Sequence, residues 1–148
     1  MNNSIASVPF PKNEPIRGYE PNSEEKKSVL KTYNKLKQSN IEVPMWINGK
    51  SVKSSKTHNM SPPHNHKHSL GKYYLAEKKH VELAIKSALN AKEKWSNMPW
   101  EERAAIFLKA AELIAGPYRD KINAATMLGQ SKTIFQAEID AACELIDF

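Results

Sequence analysis

Apolar residues in the second half of the chain, from about residue 81 onward, recur at intervals of three and four. This spacing places them along one side of an α-helix. It predicts a helix from Glu77, a second helix that begins after Pro99 and ends at Gly116-Pro117, and a third over 118–128 that ends at Gly129. Their many alanines allow close approach to a large neighbouring surface. The residues predicted to face inward are Val81, Ala84, Ile85, Ala88, Leu89 and Trp95 in the first helix, and Ala104, Phe107, Leu108, Ala111 and Ile114 in the second.

The pattern in the first half predicts one helix and a small β element. Ser23 followed by two glutamates is typical of a helix N-cap, and apolar residues follow it at helical spacing. Asn48-Gly49 between two apolar runs predicts a β-hairpin with a type I′ turn. Residues 70–76 predict a further strand that pairs with this hairpin. These predictions describe a mainly α-helical chain with an N-terminal β-hairpin and one further strand.

The distribution of apolar residues also predicts where the chain divides. Residues 1–28 contain few large apolar side chains and several Pro, Asn and Ser, so we expect an extended arm that is ordered only where it lies on something else. Residues 29–148 form the remaining unit. The last helix has no Gly, Asn or Pro stop signal after Glu144, so we expect the chain to be cut off within an element.

Charge is unevenly distributed along the 148 residues. Residues 1–80 carry 14 Lys and Arg against 6 Asp and Glu, a net charge of +8, whereas residues 81–148 carry 8 against 10, a net charge of −2. A basic half is compatible with nucleic-acid binding. The lysines are scattered singly, however, and no nucleic-acid-binding motif accompanies them, so we expect no nucleic-acid partner.

The remaining composition limits the class of protein. The single cysteine, Cys143, cannot form an internal disulfide, and its helical setting favours a small buried apolar residue over a reactive thiol. No apolar run approaches the roughly 18 residues of a membrane span, so no membrane association is expected. Only Lys12 and Arg17 are basic before residue 20, which is atypical of a mitochondrial transit peptide.

Two short segments contain residues that could support chemistry. His58, His64, His66 and His68 are close in sequence, but no cysteine or carboxylate lies among the three in the loop, so we expect no metal site. The run 129–133, Gly-Gln-Ser-Lys-Thr, resembles a phosphate-binding loop, yet it lacks the upstream glycine and follows a predicted helix rather than a strand. No complete set of catalytic residues is recognisable.

Two sets of spaced segments carry a family resemblance. The first set consists of Trp46-Ile47-Asn48-Gly49-Lys50, Ser61-Pro62, the 84–95 helix, the 103–111 helix, the 129–133 loop and Ala137-Glu138. This set resembles the N-terminal part of aldehyde dehydrogenases. The second set consists of the 64–68 loop, the 107–111 segment, 136–142 and 144–148. This set is most similar to the branch of that family that oxidises glutamate γ-semialdehyde, the Δ1-pyrroline-5-carboxylate dehydrogenases. One departure is Ser131, where aldehyde dehydrogenases more often have Gly.

The resemblance implies an α/β fold, in which residues 29–148, a helical layer with a small β element, are the incomplete N-terminal part of the NAD-binding domain. It also implies an NAD-dependent oxidation of an aldehyde to a carboxylate. It implies a catalytic cysteine and NAD-binding strands outside these 148 residues, so that this chain carries no catalytic or cofactor-binding residue and is inactive alone. Cys143 corresponds to no catalytic position. Glu144 matches a family glutamate near the mouth of the aldehyde pocket, where it can meet the amino group of the substrate. The other interpretation of Glu144, a carboxylate on a helix surface, stays open.

The resemblance further implies glutamate γ-semialdehyde as a small-molecule substrate, a homodimer, and the mitochondrial matrix, with the cytoplasm as the alternative. Two other hypotheses stay open. The chain could belong to another aldehyde dehydrogenase branch, whose substrate is set by pocket residues not present here. It could also be a non-catalytic helical module that binds a partner protein.

Overall fold

The computed structural model describes residue 5 and residues 7–148. Most of the secondary structure is helical, as predicted. The helices are α1 Glu24–Gln38, α2 Lys78–Asn97, α3 Trp100–Ala115, α4 Arg119–Gln130, α5 Ile134–Ala137 and α6 Glu144–Asp147, with a π-helical segment, Glu138–Cys143, between the last two. The strands are β1 Ile41–Val43, β2 Met45–Ile47, β3 Lys50–Val52, β4 Thr57–Met60 and β5 Gly71–Tyr74.

Side chains at the helix ends explain where several helices begin. Ser23 caps α1 as predicted, because its Oγ accepts a hydrogen bond from the Lys26 amide at 3.2 Å. At the start of α2 the Glu77 amide donates to Nδ1 of His80 at 3.0 Å. The described part of the arm before Ser23 forms neither helix nor strand, and α1 begins inside the range 1–28. The division into an arm and a second unit stays a prediction.

The predicted hairpin is confirmed, including its turn. Strands β2 and β3 pair antiparallel, and Asn48 and Gly49 both adopt positive φ, 53° and 69°, as a type I′ turn requires.

The predicted strand at 70–76 is confirmed as β5, but its predicted pairing with the hairpin is wrong. Strand β5 lies between β1 and β4, parallel to β1 and antiparallel to β4. Gly71 makes the parallel pair possible: its φ is 129°, and a Cβ on it would lie 1.9 Å from the carbonyl oxygen of Ile41.

The helix ends in the second half follow the predictions except at one position. Helix α3 lies between Pro99 and Gly116, as predicted. Helix α4 does not stop at Gly129 but runs to Gln130. The next residue, Ser131, adopts the left-handed conformation with φ 58° that ends the helix.

The predicted burial of the α2 and α3 faces is wrong in this structure. Val29 of α1 and Leu128 of α4 are buried where these two helices pack, whereas Leu89 of α2 and Phe107 of α3 are 62% and 67% exposed. Helices α4 and α6 contact α3 but leave much of its apolar face exposed, and His80 is the single buried residue of α2. Within the described residues, none of the helices has both the length and the apolar character to cross a bilayer.

Candidate functional site

A buried polar cluster joins the N-terminal arm to α4 and the π-helical segment. Glu138 lies at its centre, fully buried, and its two carboxylate oxygens accept hydrogen bonds from four residues. The Arg17 amide donates at 2.9 Å, the Tyr19 hydroxyl at 2.7 Å and the Asn123 amide nitrogen at 2.7 Å. Arg119 donates through Nε and Nη2. The carboxylate is therefore fully partnered, as a buried charge requires.

The Arg119 guanidinium, whose residue is 1% exposed, connects three parts of the chain. Besides Glu138 it binds the Glu14 carboxylate through Nη1 and the Pro15 carbonyl through Nη2, the latter at 2.7 Å. Its Nη2 also lies 3.4 Å from Sγ of Cys143. This planar group with several donors thus holds the arm, the beginning of the π-helical segment and its end.

The chain folds this way locally because α4 presents polar residues on its inward side. Arg119 and Asn123 are four residues apart, so both project from the same face of α4. Glu138 follows the buried Ala137, which allows its helix to approach α4 closely. The sequence analysis did not predict this cluster. It could have been predicted from Arg119 and Asn123, which are polar but lie at helical spacing on the inward face of α4.

The electrostatics of the cluster favour an ionised carboxylate. Burial raises the pKa of Glu138, but the hydrogen bonds from Arg119, Tyr19, the Arg17 amide and Asn123 outweigh burial and lower that pKa to about 2. Burial and the same carboxylate raise the pKa of the Tyr19 hydroxyl above its ordinary value. The phenol therefore stays a hydrogen-bond donor at neutral pH.

Cys143 lies against this cluster as a buried thiol, as its helical setting predicted. Burial, and next the charge of Glu138, raise its pKa. A nucleophilic cysteine requires a stabilised thiolate, so this setting opposes that role.

Glu144, the predicted substrate contact, is the first residue of α6 and is exposed. Its side chain makes no hydrogen bond or ion pair with any other described residue, which leaves both carboxylate oxygens available. It lies one residue beyond Cys143 and outside the buried cluster. Within the described residues, no hydrogen bond or ion pair joins Glu144 to any of the histidines or to the 129–133 loop, although Lys132 of that loop pairs with Asp140.

The other candidate segments have structural partners. His64 binds Oγ of Ser131 through its amide at 3.1 Å and through Nδ1 at 2.7 Å, and His68 Nε2 lies 2.7 Å from the Lys37 carbonyl oxygen. Lys132 pairs with Asp140 rather than standing free over a loop. Among the described residues, no three His, Cys, Asp or Glu side chains are placed to hold a metal ion together.

The described residues do not fit a bound NAD. A dinucleotide site needs a strand that ends in a glycine-rich turn leading into a helix. Strand β5 is followed by α2, but the connecting residues 75–77 are Leu-Ala-Glu. Gly18, Gly49, Gly71, Gly116 and Gly129 all lie elsewhere, in the arm, the hairpin, β5, the end of α3 and α4.

Comparison with known proteins assigns the chain to a family. The model of the aldehyde dehydrogenase family matches residues 46–148. A probable delta-1-pyrroline-5-carboxylate dehydrogenase of Schizosaccharomyces pombe is 45% identical over 142 residues, which cover 95% of this chain and 26% of that protein. The mitochondrial delta-1-pyrroline-5-carboxylate dehydrogenase of Homo sapiens is 41% identical over 136 residues, covering 92% of this chain and 24% of that protein. The chain thus spans about a quarter of the length of these relatives.

Solved structures agree. The delta-pyrroline-5-carboxylate dehydrogenase of Mycobacterium tuberculosis bound with NAD superposes with a TM-score of 0.95 and 43% identity, over 99% of this chain and 28% of that one. The predicted aldehyde dehydrogenase-like fold is confirmed by this superposition. Since the family model covers more than half of the sequence, the chain belongs to the aldehyde dehydrogenase family.

Proposed function

We propose that this chain is the N-terminal segment of an NAD-dependent dehydrogenase that oxidises L-glutamate γ-semialdehyde, formed from Δ1-pyrroline-5-carboxylate, to L-glutamate. The observation that carries the proposal is the superposition on the Mycobacterium tuberculosis dehydrogenase, which extends over 99% of the chain at 43% identity. A shared fold alone would not specify the substrate. The added sequence identity over almost the whole chain supports the same branch of the family.

Within that enzyme the segment contributes structure and one substrate contact rather than the catalytic nucleophile. Aldehyde oxidation through a covalent intermediate needs an accessible thiolate. Cys143 is buried and its pKa is raised, so we place the nucleophile, like the NAD site, outside these residues. The exposed apolar faces of α2 and α3 are the surfaces on which the remainder of the enzyme packs.

The proposed substrate contact is Glu144. Its carboxylate is exposed and unpaired within the described chain, so it can receive the positively charged amino group of glutamate γ-semialdehyde. An aldehyde that lacks this amino group would gain nothing from the contact. Glu144 therefore sets preference for the aminated substrate and takes no part in bond making.

We further propose a homodimer located in the mitochondrial matrix. The human and rat relatives carry the word mitochondrial in their names, whereas the fission yeast and Agaricus bisporus relatives do not. Fractionation of cells that express the complete enzyme distinguishes the matrix from the cytoplasm. Light scattering of the purified enzyme distinguishes a dimer from a monomer.

The function is tested with a chimera in which this chain replaces the matching quarter of the fission yeast relative. We expect the chimera to form NADH when given NAD and glutamate γ-semialdehyde, and the 148-residue chain alone to form none. A chimera with the equivalent segment of an aldehyde dehydrogenase of different substrate serves as the control for segment identity. A folded chimera without activity would contradict the proposal, as would turnover by the isolated chain.

The Glu144 contact is tested in the same chimera with Glu144→Gln. Loss of an ammonium–carboxylate contact should raise KM for glutamate γ-semialdehyde roughly tenfold, while KM for glutarate semialdehyde, which lacks the amino group, stays the same. Glu25→Gln, an exposed glutamate of α1, is the matched control. An unchanged KM for glutamate γ-semialdehyde would assign Glu144 to the helix surface, and equal increases for both aldehydes would indicate general destabilisation; either result contradicts the contact.

A further inference from the structure

One turn of π-helix lies directly before Glu144. Residues Glu138–Cys143 are π-helical, and the Glu144 amide donates to the carbonyl oxygen of Ile139, five residues earlier. An α-helix would make this bond to the residue four earlier, so the turn contains one extra residue. Such turns are rare and need stabilisation from their surroundings.

Arg119 supplies a contact that only this winding permits. Its guanidinium binds Glu138 at the start of the π-helical segment and lies 3.4 Å from Sγ of Cys143 at the end. Residues five apart point roughly 140° away from each other on an α-helix of 3.6 residues per turn. In a π turn the hydrogen bond spans five residues and the turn is wider, so residues five apart lie on nearly the same side. One buried arginine can thus hold both ends only while the segment keeps its extra residue.

The N-terminal arm makes further contacts with the same segment and with the helix after it. The Arg17 amide binds Glu138 at the beginning of the segment, and the Pro15 carbonyl receives Arg119. The Glu14 amide donates at 2.7 Å to Oδ1 of Asp147, which lies beyond the segment in α6. The arm therefore crosses the whole π turn and is fixed on both sides of it.

We propose that Arg119 and arm residues 14–19 are positioning elements that hold the π turn and thereby aim Glu144 at the amino group of the substrate. This inference rests on the proposed function. Removal of the extra residue would rotate the following helix by roughly 100° and shift it by about 1.5 Å. Glu144 would then take the direction that the buried Cys143 now has, and would turn away from the side on which it is exposed.

The test uses two changes to the chimera, Arg119→Lys and deletion of Ala141. Lysine keeps the buried positive charge but cannot reach both ends of the π turn. Deletion of Ala141, a small residue outside the polar cluster, removes the extra residue directly. Each change should raise KM for glutamate γ-semialdehyde roughly tenfold, as expected for a lost charged hydrogen bond, with kcat and KM for glutarate semialdehyde unchanged.

A double-mutant cycle separates positioning from general destabilisation. If Arg119 acts through Glu144, Arg119→Lys combined with Glu144→Gln should have no larger effect than Glu144→Gln alone. Lys121→Gln, which removes an exposed cation from the same helix, is the matched control and should change neither KM. Fully additive effects, or equal KM changes for both aldehydes, would overturn the proposal.

A crystal structure of the Arg119→Lys chimera tests the winding independently of substrate. We expect the Glu144 amide to bind the Asp140 carbonyl instead of that of Ile139. An unchanged bond to Ile139 would overturn the proposal whatever the kinetics. If Glu144→Gln leaves the substrate preference unchanged, the proposed contact between Glu144 and the substrate is wrong. A change of winding in the Arg119→Lys variant would still show that Arg119 stabilises the π turn.

Discussion

Replacement of Glu138 by Gln is the most direct way to measure how much the buried cluster stabilises docking of the arm. The two side chains have nearly the same shape, but glutamine has no charge and replaces one acceptor oxygen with an NH2 group. Glu138 accepts from the Arg17 amide, Tyr19, Asn123 and Arg119, and glutamine would turn a donor toward some of these donors. We therefore expect Glu138→Gln to release the arm.

The magnitude follows from the burial of the pair. Loss of one partner of a buried ion pair costs about 3–5 kcal/mol. Arg119 keeps Glu14 and the Pro15 carbonyl as partners, so the lower value, about 3 kcal/mol, applies. Since about 1.4 kcal/mol corresponds to a tenfold change in an equilibrium constant, the population with an undocked arm should increase roughly a hundredfold.

Limited trypsin digestion of the chimera measures this population. Arg17 lies within the docked arm, and cleavage after it requires the arm to leave the surface. When opening and closing are fast relative to cleavage, the rate follows the open population and should increase roughly a hundredfold in Glu138→Gln. Glu25→Gln should cleave at the original rate. An increase of less than about threefold in the Glu138 variant would refute the reasoning.

Two further predictions concern pH and packing. Because the folded pKa of Glu138 is about 2 against an ordinary 4.5, its stabilisation of arm docking should be complete above about pH 4.5 and lost as pH falls toward 2. The protection of the Arg17 amide against hydrogen exchange, measured relative to the intrinsic exchange rate at each pH, should decrease in that window and should not decrease in Glu138→Gln. In urea unfolding of the chimera, Gly71→Ala should lower the free energy of unfolding by several kcal/mol, because the new Cβ would clash with the Ile41 carbonyl oxygen. Gly129→Ala lies at an open helical position and should raise it by about 0.5–1 kcal/mol. Equal effects of the two substitutions would contradict both assignments.

Local features of the fold were readable from the sequence because each depends on neighbouring residues. The Ser23 cap, the Asn48-Gly49 turn and the limits of α3 at Pro99 and Gly116 all have short-range causes. The end of α4 was mispredicted because Gly129 is a glycine tolerated inside a helix, while Ser131 takes the left-handed position usually given to Gly.

Features that depend on residues far apart in the chain could not be predicted from the sequence. The pairing of β5 with β1 is set by the close approach at Gly71, 30 positions from Ile41, which no local pattern encodes. Periodicity identified the apolar side of α2 and α3 but not what covers it, so Phe107 was predicted to be buried and is exposed. Likewise, Glu144 was identified through the family resemblance. No local sequence pattern identified Glu138, although its carboxylate accepts more hydrogen bonds than that of Glu144.

The separation between Tyr19 and Glu138, 119 positions along the chain, also has a consequence for synthesis. At typical translation rates the ribosome needs on the order of ten seconds to extend the chain from one to the other. Throughout that interval the arm has been made but its buried partner has not. During this time the arm must remain soluble and undocked. Its few large apolar residues reduce the risk that it aggregates with other nascent chains.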